Sequence, residues 1–254
     1  MSKLILTETR NRVATIQLNR PEKKNALTAD MYEAITDALR AAEADAQVRV
    51  TIVQGQPDCF CAGNDLTDFL ERPPQREDAP VSQFLRTIST ASKPVIAAVG
   101  GPAVGIGTTM LLHCDFVYAT PEARFQLPFV TLGLVSEAAS SLLLPMLAGY
   151  QRAAELLLLG KPFSAEKALA AGIVTEIIPT DLIEYARDAA AYVAALPPES
   201  VRLTKALMKR TYAAQVAERI SEESTLFRER LRSPEAKEAF AAFLEKRKPD
   251  FSGF

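Results

Sequence analysis

The sequence predicts an α/β fold followed by a helical appendage. Three observations carry that expectation. The apolar period switches repeatedly between two residues and helical spacing, it stays helical after about residue 180, and a chain of 254 residues that is 48% hydrophobic can bury a large core. Taken in order, "VATIQL" alternates as a strand, and "TADMYEAITDALRAAEAD" repeats apolar positions at helical spacing with Thr28 or Asp30 as its cap. "VRVTIVQG" reads as a strand again. From Thr67 to Ser92 the chain carries Pro73, Pro74 and Pro80 amid charges, so the first half of that stretch is expected to be a mobile exposed loop that covers a site. "KPVIAAVGG" supplies a buried strand ended by glycines, "TTMLLHC" a short helix and "DFVYAT" another strand. "SSLLLPMLAGYQRAAELLLLG" reads as buried helix, and Pro145, Arg152 and Glu155 keep it short of a membrane span. The rest is helical: "TDLIEYARDAAAYVAAL", a break at Pro197 and Pro198, "ESVRLTKALMKRTYAAQVAERISEESTLFRERL" and "SPEAKEAFAAFLEK". The expected division is a core over residues 1–190 and a C-terminal helical oligomerisation region over 191–254, because amphipathic helices after a complete core need a partner for their apolar stripes.

Charge and cysteine usage exclude several function classes. With 29 Lys and Arg against 31 Asp and Glu the net charge is -2, which gives no basic footprint for nucleic acid or anionic membrane. Cys59, Cys61 and Cys114 lack CxxC spacing and there is one histidine, so no metal site is expected. No secretory leader is visible and "DFSGF" lacks a peroxisomal address, so a cytoplasmic location is expected.

Two turns can carry chemistry. In "FCAGNDL", Gly63 and Asn64 tolerate positive φ, so the amides around Ala62 to Asn64 can turn outward. In "GGPAVGIGTTM" the glycines precede a helix, which leaves the amides at Gly105 to Gly107 unpaired at the positive end of its dipole. Either could donate to an oxyanion. Taken singly, each is equally an ordinary structural connection: Met110 breaks the dinucleotide pattern and Ile106 breaks the P-loop pattern. Glu137 is the only ionisable residue in "FQLPFVTLGLVSEAASS", where it is either a base with a pKa raised by desolvation or a buried, helix-capping glutamate. His113 reads as a packed core histidine, Asp65 as an Asx-type turn former, and Asp115 as an organiser of the strand it begins. Lys23 and Lys24 are either solvated charges or phosphate contacts.

Together the motifs are specific. "FCAGNDL", then "KPVIAAVGGPAVGIGTTMLLHCDFVYAT", then "RFQLPFVTLGL" resemble the enoyl-CoA hydratase/isomerase family, the crotonase superfamily. The resemblance runs from "NRPEKKNAL" through "GKPFSAEKALAAGIVTEIIP" to the helical tail. It implies a crotonase-like spiral of ββα units whose C-terminal helices build a homotrimer or a dimer of trimers. It also implies an acyl-CoA thioester substrate from fatty acid metabolism, with no cofactor or metal beyond the CoA of the substrate. Two backbone amides, carried over to Ala62 and Ile106, would hold the thioester oxygen as an enolate. Substrate and CoA contacts would fall on Lys24, Ala26, Gly63, Asn64, Asp65, Leu66, Gly105, Gly107, Thr109 and Phe129. Hydratases of the family use two glutamates, at positions that hold Thr109 and Phe129 here, and neither is a base at neutral pH. "PFVTLGLVSEAASS" instead resembles the peroxisomal-type Δ3,Δ2-enoyl-CoA isomerases, with Glu137 on their single glutamate and Ser136 and Ala138 in place of its more usual neighbours. The expected activity is double-bond transposition in a 3-enoyl-CoA. The alternatives are another crotonase reaction, hydration or thioester hydrolysis, and a non-catalytic acyl-CoA or protein-binding module.

Overall fold

The computed structural model describes residues 4–74, 76 and 78–254. The chain opens with a hairpin, β1 (Ile5–Arg10) against β2 (Val13–Leu18), closed by Asn11 and Arg12 at φ 48° and 68°. Two positive φ values in a two-residue loop match the twist of the strands they join. Helix α1 (Ala29–Ala44) starts at Thr28, whose side chain accepts from the Met31 amide, so Thr28 rather than Asp30 is the cap. Then come β3 (Val50–Gln54), α2 (Leu66–Glu71), α3 (Pro80–Ser89), β4 (Val95–Val99), β5 (Pro102–Val104) and α4 (Ile106–Thr109), which runs on as a 3-10 turn over Met110–His113. Next are β6 (Phe116–Ala119), β7 (Arg124–Gln126), α5 (Ser140–Ala148), α6 (Tyr150–Leu159), β8 (Phe163–Ser164), α7 (Ala165–Ala170) and β9 (Glu176–Ile177). Helices α8 (Leu182–Ala195), α9 (Pro198–Arg210), α10 (Ala213–Leu231) and α11 (Pro234–Leu244) complete the chain.

The main sheet has the order β1-β2-β3-β4-β6-β9, and every pairing after the first hairpin is parallel. Its central strands β3 and β4 are buried throughout and apolar except for Thr51 and Gln54, because both faces are covered. On one face Val53, Val95 and Ala97 join the large core with Ile35 and Ile88; on the other Val50, Ile52 and Ile96 meet Leu182, Ala186, Ala190 and Ala194 of α8. Alanines at every fourth position let α8 lie close to the sheet. A smaller sheet, β5-β7-β8, stands beside it and carries the turn into α4. Among the described residues no helix is long and apolar enough to cross a membrane.

Three expectations need correction. The stretch read as a loop from Thr67 contains α2, because Asp65 caps it by accepting from the amides of Thr67 and Asp68; Gln75 and Glu77 of that stretch lie outside the described residues. The long apolar run is two helices, separated at Gly149 with φ 79°, and it leaves Leu147, Tyr150, Leu158 and Leu159 exposed rather than buried. The boundary drawn at 190 falls inside α8, which packs on the main sheet.

Candidate active site

The two glycine turns meet side by side. Cys61 donates to the Pro102 carbonyl at 2.9 Å and accepts from the Val104 amide at 2.9 Å, so the strand entering the first turn pairs with the strand entering the second. Contact is close enough that glycine is required: a Cβ on Gly107 would lie 2.6 Å from the Cys61 carbonyl oxygen. The Ala62 amide donates to the Lys24 carbonyl at 2.9 Å and is therefore not the free donor that the resemblance assigns to it. Beyond it Gly63, at φ 96°, swings the chain round. The Gly63 carbonyl and the Asp65 amide bond to Leu27, so the Asn64 amide between them faces the other way. Among the described residues the amides of Asn64, Ile106 and Gly107 carry no hydrogen bond. Ile106 and Gly107 are free because they open α4, where the first amides have no intrahelical partner. Gly105 is not free; its amide donates to the Gln126 carbonyl at 2.9 Å.

Neighbouring residues hold these turns. Asn64 Oδ1 accepts from the Tyr32 hydroxyl at 2.5 Å, and Asp65 pairs with Arg20 at 2.7 Å while it caps α2 at Leu66. Lys23 and Lys24 are exposed beside this turn, and the Ala26 carbonyl accepts from Arg20 at 2.8 Å. Asn25, which the sequence reading passed over, is fully buried with a left-handed φ of 55°. Its Nδ2 donates to Gln56, Cys59 and Phe60, and its Oδ1 accepts from the Arg20 amide at 2.8 Å. Asparagine tolerates that conformation and clamps the loop to the first turn.

Glu137 is 6% exposed, and its Oε1 has no hydrogen-bond partner among the described residues. Burial, then the nearby negative charge of Glu223, push its carboxyl from the ordinary 4.5 up to about 8. Its charge is felt by Tyr32 and Cys61, which ties it electrostatically to the first turn. Thr109 is buried with an unpaired hydroxyl, and Phe129 packs edge-on against Phe227, which in turn meets Phe69. Phe69, Phe227, Val81 and Glu137 border a cavity of about 20 Å³, room for about one water. Helix α10 thus roofs the carboxylate.

The Glu137 turn has two more supports that the sequence reading missed. His113 is buried as expected, yet its Nε2 lies 2.8 Å from the Ala138 carbonyl; burial pushes its pKa down to about 4, so the neutral ring donates there. Glu223 of α10 accepts from the amides of Ala139 and Ser141. Neither carried a motif signal, because each lies far along the chain from the group it holds.

With this geometry in place, the match to known proteins is decisive: the Enoyl-CoA hydratase/isomerase family model fits residues 8–253. The chain belongs to the enoyl-CoA hydratase/isomerase family. Rat Enoyl-CoA delta isomerase 2 is 38% identical over 98% of this chain, and the match spans 65% of that longer protein. The 2,3-dehydroadipyl-CoA hydratase of Escherichia coli strain K12 is 33% identical over 100% of both chains. The structure of Pseudomonas aeruginosa OdaA superposes with a TM-score of 0.93 at 48% identity, covering 96% of this chain and 99% of the other. Proteins of similar likeness thus include one named as an isomerase and one named as a hydratase, and the common ground is the family and its α/β fold.

Proposed function

We propose that this enoyl-CoA hydratase/isomerase family member is a Δ3,Δ2-enoyl-CoA isomerase in which Glu137 alone moves the proton. One observation carries the reading: among the described residues the site has a single carboxylate with a free oxygen, while the two positions at which family hydratases hold glutamates carry Thr109 and Phe129. A 3-enoyl thioester has an α proton acidified by both the carbonyl and the double bond. Glu137 takes it, the C–H electrons move through C2 onto the thioester oxygen, and the dienolate is held by the amides of Asn64 and Ile106. Each donor would supply roughly 3 kcal/mol at the transition state. Glu137 then returns the proton to the γ carbon, and the double bond comes to rest between C2 and C3. The protonated and ionised forms of Glu137 are both accessible near neutral pH because its pKa is close to 8. No separate cofactor enters the balance, since CoA is part of the substrate.

Lys24 and Ala26, on the exposed turn before the first donor, suit the CoA end. A second cavity of about 260 Å³, which shares Phe69, Pro74 and Val81 with the one at Glu137, suits the acyl tail. Exposed Leu203, Leu207 and Met208 on α9 and Leu158 and Leu159 on α6 support self-association, which we read as a homotrimer. The cytoplasmic reading stays part of the proposal.

Hydration is the second reading, and one feature bears on it: Glu223 is a second buried carboxylate near Glu137. Both of its oxygens accept from the Glu137 turn, three bonds on Oε1 and one on Oε2, so activating water would compete with the bonds that hold that turn. The test is to give the purified protein a 3-enoyl-CoA and a 2-enoyl-CoA of equal length. The isomerase reading expects the larger kcat/KM on the first and, in Glu137→Gln, a loss of about two to four powers of ten with acyl-CoA binding retained. Hydration equal to or faster than isomerisation overturns it.

A further inference from the structure

The Glu137 turn is built against its own preference. Ala138 and Ala139 both sit in the left-handed region, at φ 61° and 55°, where an L residue with a Cβ is strained. Such a pair persists only when the surroundings over-determine it. Here two side chains restrain it: His113 donates to the Ala138 carbonyl, and Glu223, 4% exposed, makes the larger set, its Oε2 accepting from the Ala139 amide at 2.6 Å and its Oε1 from the Ser141 amide at 3.0 Å and the Ser136 hydroxyl at 3.3 Å. The Ser141 hydroxyl donates to the same Oε1, and Arg219 donates to that hydroxyl at 3.0 Å, which directs its proton at the carboxylate. The donors bracket Glu137 on both sides. Two amides and two hydroxyls need an acceptor with four lone-pair sites and no proton of its own, which an ionised carboxylate provides and a glutamine does not.

We infer that Glu223 is a positioning residue for Glu137: it fixes the turn that carries the base and sets a second carboxylate beside it. The role rests on the isomerase reading above only in so far as Glu137 is the base. Other groups facing Glu137 do not supply a competing negative charge near neutral pH. Tyr32 of α1 and Cys61 are both raised, first by burial, the thiol to about 12, so they stay neutral. His113 behind Ala138 is lowered to about 4 and is neutral too. Arg228, beside Glu137 on the cavity wall, is the cation on that side, and Arg219 is turned to Ser141. Burial raises Glu223 as well, while its four donors pull it back towards the charged form. Both oxygens being occupied, Glu223 acts on the reaction through Glu137 and does not touch the substrate.

The test is carbon NMR of protein labelled at the glutamate carboxyl carbon, titrated from pH 5 to 10, with the Glu137 signal assigned by its loss in Glu137→Gln. In Glu223→Gln the Glu137 midpoint should fall by about one pH unit or more, the ascending acid-side limb of kcat should move with it, and turnover should drop about tenfold or more from the loosened turn. Glu223→Asp keeps the charge nearby but loses reach to the turn's donors, so turnover should fall while the midpoint moves less than in Glu223→Gln. An unmoved midpoint in Glu223→Gln overturns the inference, and so does wild-type turnover in Glu223→Asp, which decides the matter if the glutamine variant does not fold. A wild-type protein without isomerase turnover sinks the proposed reaction and leaves the titration standing. Wild-type turnover with an unmoved midpoint does the reverse.

Discussion

Replacing Glu137 by glutamine should make the protein more stable at alkaline pH while it removes the base. The folded carboxyl titrates near 8 against the ordinary 4.5, so the native state holds its proton to higher pH than the unfolded chain does. Below 4.5 both states are protonated and nothing is lost; as pH rises the unfolded chain ionises first, and the loss of stability is complete once pH passes the folded value of about 8. The gap converts to roughly 5 kcal/mol as an upper bound, because the ionised group can draw a water into the small cavity beside it. A measured difference of about 2 kcal/mol or more is expected. Urea unfolding of both proteins, followed by circular dichroism at pH 5 and pH 9 and at one protein concentration, reads it directly. Comparing the two pH values cancels the shared groups that do not feel the Glu137 charge and also the cost of burying the new amide. If the variant and the wild type lose stability in parallel between those pH values, the burial argument for Glu137 is wrong.

Ile106→Pro removes the amide at the first position of α4, where proline is tolerated, so kcat should fall by about two to three powers of ten. Ile106→Ala, which loses the buried side chain but keeps the amide, should retain most of its turnover; equal losses in both would exclude the amide as a donor. Light scattering at micromolar concentration should find a trimer or a multiple of it, and a monomer throughout would leave the exposed leucines of α6 and α9 unexplained.

Most of the fold was legible because its signals are local. Alternation in "VATIQL" marks β2, helical spacing with Thr28 ahead of it marks α1, and the unbroken apolar run of "KPVIAAV" marks a strand covered on both faces. What misled was composition read without partners. The prolines and charges after Thr67 suggested loop, yet Asp65 supplies two bonds to free amides and a helix follows. The leucines from Leu142 to Leu159 suggested a buried helix, yet Gly149 splits them and turns several outward, where nothing in the same chain covers them among the described residues.

At the site the motifs located the two turns, and the lone glutamate stood out against its apolar neighbours. The choice of donor did not follow, since whether an amide is free depends on what lies across from it: Lys24 occupies Ala62, and Leu27 turns Asn64 outward. The same limit hid Glu223, a glutamate on a charged helix with nothing in its neighbourhood to distinguish it from Glu218, Glu222 or Glu229. Only the fold brings it to the Ser136–Ser141 turn. There it meets amides that the left-handed alanines have pointed at it, so the strain of the turn and the burial of the carboxylate each offset the other's cost. The turn thus joins two buried carboxylates of opposite character, Glu137 with an unpartnered Oε1 and Glu223 with both oxygens accepting from the turn.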